Sequence, residues 1–283
     1  MITPNDNSST PFSAVLLAAD RSAGDPVAAA AGVSGKSFVP VGGKPMVLRV
    51  LDALAESEQV SYRLLCGPPA QALPRLPELQ ARIDNVNVGW IENQATPSTS
   101  VAYALQTLAD KIPVLVTTAD HALLSAQIVD YFCFRARTSG CDVVVGLAAH
   151  DTVKAAYPQT KRTATKWRDG AYCSCNLFAF LTPQARIAAE FWRKVEHQRK
   201  KPLRLIGSLG WFTVLRYLFK QLTLTAGLES ASRRLGIKAG AVILPFPEAA
   251  VDVDTIEDWK LVEAIVAEQS HHPAKDQGPH RKI

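Results

Sequence analysis

Short apolar runs separated by stretches with helical spacing constrain the fold of this 283-residue chain more than any other feature. The runs predict strands at 13–18, 62–66, 86–91, 113–118 and 142–147, and the intervening pattern predicts helices near 46–57, 98–109 and 125–138. Alternation of this kind requires crossover connections, so the sheet is expected to be mostly parallel and covered on both faces. Val15, Leu16 and Leu17 form the kind of continuous apolar run that such a strand carries. The next predicted helix places Val47, Val50, Leu51 and Leu54 on one face. Pro68, Pro69, Pro74 and Pro77 cannot sit inside one long helix, so 67–80 is expected to be a loop or a broken turn. The predicted class is α/β, a Rossmann-like three-layer α/β/α architecture.

The chemistry concentrates after the first strand. Small, turn-forming residues (Ser22, Ala23, Gly24, Asp25, Pro26) follow it, at the strand end where open α/β sheets bind ligands. Small side chains let backbone N–H groups approach phosphate oxygens, and Lys36 and Lys44 would supply positive charge against a triphosphate. Gly42 and Gly43 make a tight turn into the following helix.

Here a family resemblance emerges. Lys36-Ser-Phe-Val-Pro-Val-Gly-Gly-Lys-Pro-Met46 resembles the second half of the N-terminal signature of the MobA-like NTP transferases and the sugar-phosphate and alcohol-phosphate cytidylyltransferases. The first half departs from it: Asp20 stands where the first glycine is usual and Gly24 where the arginine is usual, so the arginine's role is either lost or taken by Arg21. Two distant segments extend the likeness. Pro113-Val-Leu-Val-Thr-Thr-Ala-Asp120 resembles the family's central strand ending in a metal-binding aspartate, and Val251-Asp252-Val-Asp254-Thr-Ile-Glu-Asp258 resembles its closing motif. Each segment also has a simpler reading. The Gly-Gly turn serves as an ordinary connection, Asp120 as a helix cap, and Asp254 with Thr255 as the cap of the last helix. The capping role is expected for Asp254, which leaves Asp252 as the second metal ligand beside Asp120.

The resemblance implies a nucleotide-diphospho-sugar transferase (GT-A-like) fold in one domain over 1–269. It implies a magnesium-dependent nucleotidyltransferase that moves NMP from an NTP to a phosphorylated sugar, polyol or small acid and releases pyrophosphate, with CTP favoured and GTP next. Lys36, Arg21 and Asp120 would be catalytic. Leu17, Ala18, Ala19, Asp20, Ser22, Gly24 and Lys36 would hold the nucleotide, together with Ser98 and Ser100 in the hydroxyl cluster that opens the helix at 98–109. Ordinary N-capping by Ser98 or Thr99 explains that cluster equally well. Asn176 would bond acceptor hydroxyls, and Lys161, Arg162 and Lys166 would grip the acceptor's phosphate, although such a charge run is also an ordinary solvated hairpin face. Magnesium, a hard cation, suits the carboxylates of Asp120 and Asp252.

Two other functions compete. A glycosyltransferase of the same architecture usually carries a local Asp-x-Asp after the central strand, where this chain has Asp120-His121-Ala122. A catalytically silent nucleotide-binding regulator fits the departures at Asp20 and Gly24, against the retained Lys36, Asp120 and Asp252.

Residues 182–238 are expected to form an inserted helical lobe, with Trp211, Val214, Leu215, Leu218, Phe219 and Leu222 on one face. A basic patch runs from Arg193 to Arg204, and the formal net charge is +5. That pairing fits either packing on the sheet or contact with an anionic membrane surface, with packing favoured. Nucleic acid is not an expected partner, since exposed aromatics are not interleaved with the charge. The sequence carries no long apolar span and no signal-like N-terminus, so a cytoplasmic protein is expected. Cys66, Cys133, Cys141, Cys173 and Cys175 lack metal-finger spacing and are expected to be buried or pocket-lining thiols. The tail 270–283 has little to bury and is expected to be disordered. Oligomeric state is left open.

Overall fold

Strand β1 (Phe12–Leu17) runs through the middle of the sheet, and its alternating side chains define the layers. A computed structural model describes residues 10–19, 24–84, 88–109, 111–196 and 221–271. Phe12, Ala14 and Leu16 pack in one core with Val47, Leu51 and Leu54 of α2 (Met46–Glu56) and Ile128 and Phe132 of α5 (Ala126–Arg137). Val15 belongs to the opposite core, with Val101 and Leu105 of α4 (Pro97–Thr107) and Ala189 of α7 (Arg186–Val195). The result is the expected three-layer α/β/α arrangement. Helix α4 starts at Thr96 through a capping box with Thr99, followed by Pro97, a residue suited to a first helical turn.

The remaining strands are β2 (Pro40–Val41), β3 (Lys44–Pro45), β4 (Val60–Cys66), β5 (Val88–Ile91), β6 (Val114–Thr118), β7 (Val143–Ala149), β8 (Thr165–Trp167), β9 (Gly170–Phe180) and β10 (Ala239–Leu244). The main sheet has the order β10-β7-β9-β6-β1-β4-β5, with β8 paired to β9. Pairings of β1 with β4 and β6, of β4 with β5 and of β10 with β7 are parallel, whereas β9 lies antiparallel between β6 and β7. The chain leaves β1 toward β4 and β5 and returns on the other side as β6. The carboxyl ends of β1 and β6 therefore border a switch point, where α/β folds bind ligands.

One expectation needs correction. The proline-rich segment holds a 3-10 turn at Ala70–Arg75 and then α3 (Pro77–Ile83), because Pro77 falls at the first helical position, where its missing N–H costs nothing. The described parts of 182–238 pack on the sheet layers, the arrangement favoured for this segment. Trp192 of α7 stacks on Phe178 of β9 at 6.0 Å, and α8 (Leu224–Leu235) is close enough to β8 that a Cβ on Gly227 would fall 2.5 Å from the Trp167 ring. The predicted apolar face at Trp211–Phe219 and most of the basic patch lie outside the described residues. Two further helices, α1 (Pro26–Ala31) and α6 (His150–Ala156), precede α7, and α9 (Ile256–His271) closes the described chain beside α1. The helix therefore runs past the expected start of the tail, of which 272–283 lies outside the described residues. Among the described residues, no helix is long and apolar enough to cross a membrane.

Candidate active site

Four segments meet at the switch point. The Ala119 N–H donates to the Leu17 carbonyl (2.9 Å), which keeps the end of β6 beside the end of β1 and presents Asp120 just beyond. The Val253 N–H donates to the Asp120 carbonyl (3.0 Å), so Asp252 and Asp254 flank a residue bonded to the Asp120 backbone. Lys36 opens a short 3-10 turn whose next residue, Ser37, donates to the Ala18 carbonyl (3.3 Å). The fourth segment is β9. Its pairing with β7 shifts register between Val145 and Leu147, and Asn176 sits in that irregularity. Asn176 is also the only described non-glycine residue with positive φ (50°). Asparagine tolerates this left-handed conformation better than most residues, and a bulge redirects a side chain out of the strand's alternation.

The side chains form one charged network. The Lys36 ammonium donates to Asp120 Oδ2 (2.9 Å) and Asp254 Oδ1 (2.8 Å). Arg162 contacts Asp252 Oδ1 and lies 3.8 Å from Asp254 Oδ2. The Asn176 amide donates to Asp252 Oδ2 (2.6 Å), and the Thr118 hydroxyl donates to Asp120 Oδ1 (2.5 Å). Burial works against the charge on Lys36, but the Asp120 and Asp254 carboxylates outweigh it and hold the ammonium above its ordinary pKa. Lys36 is therefore a cation at any physiological pH. Burial also drives His121, next to Asp120, down to about 4, so its imidazole is neutral beneath the site.

Asp120 and Thr118 line two cavities at once. A small one of about 60 Å³ lies at the end of β1, bordered by Leu17, Ala18, Ala19, Lys36 and Pro97. A cleft of about 890 Å³ opens on the other side, where Lys161, Arg162, Asn176, Asp252 and Lys260 contribute. Asp120 thus stands between a pocket of small residues and a roomy cleft in which three cations and several hydroxyls face the carboxylates of Asp252, Asp254, Glu257 and Asp258.

The sequence-predicted site residues divide clearly. Lys36, Asp120, Asp252, Arg162 and Asn176 converge, Lys161 lines the cleft, and Leu17, Ala18 and Ala19 line the small cavity. Lys166 is exposed on β8 and does not line the cleft. Gly24 lies just before α1, with φ 82° and open space around it. Asp20, Arg21 and Ser22 lie outside the described residues.

Ser98 and Ser100, expected as nucleotide contacts, line neither of these two cavities. Both are buried; the Ser98 hydroxyl bonds the Glu196 carboxylate, and Ser100 accepts from the Gln94 N–H (2.9 Å). Lys44 pairs with Asp52 instead of facing the site. Asp254 is not the cap of α9. Thr255 caps it, with Asp258 reciprocating through the Thr255 N–H (2.9 Å), which releases Asp254 to join Lys36. Sequence reasoning missed Thr118, whose hydroxyl follows an apolar strand just before the aspartate and carries no distinguishing spacing.

The sequence profile of the MobA-like NTP transferase domain matches residues 14–235. The chain belongs to this family. A 2-C-methyl-D-erythritol 4-phosphate cytidylyltransferase from Prochlorococcus marinus (strain MIT 9313) is 28% identical over 150 residues, 53% of this chain and 63% of that protein. The chain therefore spans less than two thirds of the length of that curated relative. A structure described as a hypothetical transferase from Thermus thermophilus is 30% identical, with a TM-score of 0.73, covering 88% of this chain and 100% of that one. The 4-diphosphocytidyl-2C-methyl-D-erythritol synthase of Anaerococcus prevotii shares the fold at 13% identity and a TM-score of 0.58, covering 93% of this chain and 100% of that one.

Proposed function

We propose that the chain transfers a nucleoside monophosphate from an NTP to a phosphorylated sugar, polyol or small acid and releases pyrophosphate. The carrying observation is the junction at Asp120, where Lys36 and three aspartates meet between two cavities of different size and lining. Such a transfer brings two polyanions together, and the protein's task is to position them and neutralise charge. The small residues at the end of β1 let backbone groups approach the nucleotide's phosphates, with Lys36 beside them to offset developing charge. Lys161, Arg162 and Lys260 suit an anionic acceptor in the cleft, among the hydroxyls of Thr160, Thr163 and Ser174.

The donor set fits magnesium: Asp120 and Asp252 offer hard carboxylate oxygens from segments joined by a backbone hydrogen bond. When bound, the ion would be held by these two residues and would supply charge neutralisation at the reacting phosphate. CTP is the favoured donor, since two of the named relatives are described as a cytidylyltransferase and a 4-diphosphocytidyl-2C-methyl-D-erythritol synthase, with GTP next.

The test measures pyrophosphate release with magnesium, crossing CTP, GTP, ATP and UTP against phosphorylated sugars, polyols and glycerate, with Asp120→Ala alongside. Release confined to one pair and lost in the variant is the expected result. Equal release by a folded Asp120→Ala protein would remove the site assignment.

A further inference from the structure

We propose that Arg162 is a resident counter-ion that a divalent cation displaces from Asp252, freeing its guanidinium to bind the acceptor's anionic group. The inference rests on the transferase reading above and concerns how its site is kept in order before and after loading.

Asp252 is 6% exposed, and a buried carboxylate is tolerated only when paired. Its two oxygens have different partners. Oδ2 accepts from the neutral Asn176 amide, which the β9 irregularity holds in place, while Oδ1 contacts the cationic Arg162. A metal ion arriving at Asp252 can share the carboxylate with the neutral amide. It meets direct like-charge repulsion from the guanidinium on Oδ1.

Two observations mark Arg162 as the group that moves. It lies in the irregular segment between α6 and β8, with no strand or helix fixing its backbone, whereas Lys36 is set by a turn bonded back onto β1. Its Nε is also buried without a hydrogen-bond partner, so the guanidinium is incompletely satisfied where it stands. The same residue lines the large cleft. A planar guanidinium with a donor to spare suits a phosphate oxygen. The charges agree with an exchange: Asp120, Asp252 and Asp254 are balanced in part by Lys36 and Arg162, and the metal takes over Arg162's share as the anionic acceptor claims the guanidinium.

The experiment titrates the full chain with Mn²⁺ or Mg²⁺ alone, following affinity by calorimetry and water-proton relaxation and stability by thermal melting, for wild type, Arg162→Gln and Arg162→Lys. The glutamine variant should melt lower without metal and gain more on adding it. It should bind the ion about tenfold more tightly, because a like charge is removed from a partly buried site. Arg162→Lys, which keeps the charge, should stay near wild type in metal affinity.

Inorganic phosphate supplies the second reading: in wild type Mg²⁺ should tighten phosphate binding, and Arg162→Gln should abolish that coupling. Unchanged or weaker metal affinity in folded Arg162→Gln overturns the exchange, as does failure of every form to bind metal. Asp120-dependent turnover alongside unchanged affinity would leave the transferase reading standing without the exchange. Competition without turnover would do the reverse.

Discussion

Replacing Asn176 with aspartate converts a hydrogen-bond donor into a second carboxylate against Asp252, with almost no change of shape. The contact it reverses is 2.6 Å long, and Asp252 is buried. A hydrogen bond to a charged acceptor contributes about 1.5–3 kcal/mol. Two like charges about 4 Å apart repel by ~4 kcal/mol at an effective dielectric near 20, a figure that Arg162 on the same carboxylate reduces. The introduced carboxyl should therefore have a folded pKa well above its unfolded value of about 3.9. The folded state then binds more protons than the unfolded state between those two values, so stability is lost as pH rises from about 4 through the folded pKa. Between about pH 5 and pH 7.5 the deficit relative to wild type should grow by up to ~3 kcal/mol, at 1.36 kcal/mol per pH unit for one proton. Asn176→Ala is the control. It loses the same bond and gives up asparagine's tolerance of positive φ, with a deficit that does not vary with pH. Urea unfolding followed by tryptophan fluorescence at both pH values measures all three proteins. A deficit for Asn176→Asp that is flat with pH would refute the placement of Asn176 against Asp252.

Three further outcomes follow from the geometry. Lys36→Met should fold but lose turnover by at least ~100-fold in a pyrophosphate-release assay, the scale of losing a preorganised charge at a reacting centre; in wild type, the raised Lys36 pKa means that activity should show no lysine deprotonation limb below pH 10.5. Gly227→Val should destabilise by about 1–3 kcal/mol through overpacking and shift the emission of Trp167, because a Cβ at 227 would fall 2.5 Å from the indole. Among the five thiols only Cys141 is not buried, and burial pushes the pKa of Cys66 up to about 11 and raises Cys133, Cys173 and Cys175 as well, so Ellman's reagent should titrate one thiol quickly and four only on unfolding.

What was legible in the sequence was whatever had a period or a run. The strands at 13–18 and 113–118 stand within a residue of their expected ends because both are buried on two faces and therefore uninterrupted. Lys36 and Asp120 were legible because they punctuate those runs. Asp254 was misassigned because Asp254-Thr255-x-x-Asp258 contains two adjacent residues able to cap, and only the helix's starting point decides between them. The hydroxyl cluster at 96–100 is a similar case: the cap falls on Thr96, while Ser98 bonds the Glu196 carboxylate and Ser100 accepts from the Gln94 N–H. The run Lys161–Lys166 could not be divided from sequence, since an irregular segment has no period to sort inward Arg162 from exposed Lys166. The irregularity in β9 was equally hidden, because it is a property of the pairing with β7.

Asp254 has a place in the network distinct from that of Asp120 and Asp252. It is half exposed, and its two oxygens face different cations, Lys36 at 2.8 Å and Arg162 at 3.8 Å. Lys36 belongs to the cavity at the end of β1, and Arg162 belongs to the larger cleft. Asp254 is the carboxylate that both cations approach, so it relates one to the other directly. With it, a change of charge on either side alters the field felt by the other through a shared carboxylate that solvent can still reach. A reaction that unites two anions needs such a relation. In the proposed exchange, a divalent ion would take the place of Arg162 on Asp252 while Lys36 stays on its aspartates, and Asp254 would carry the change between the two cavities.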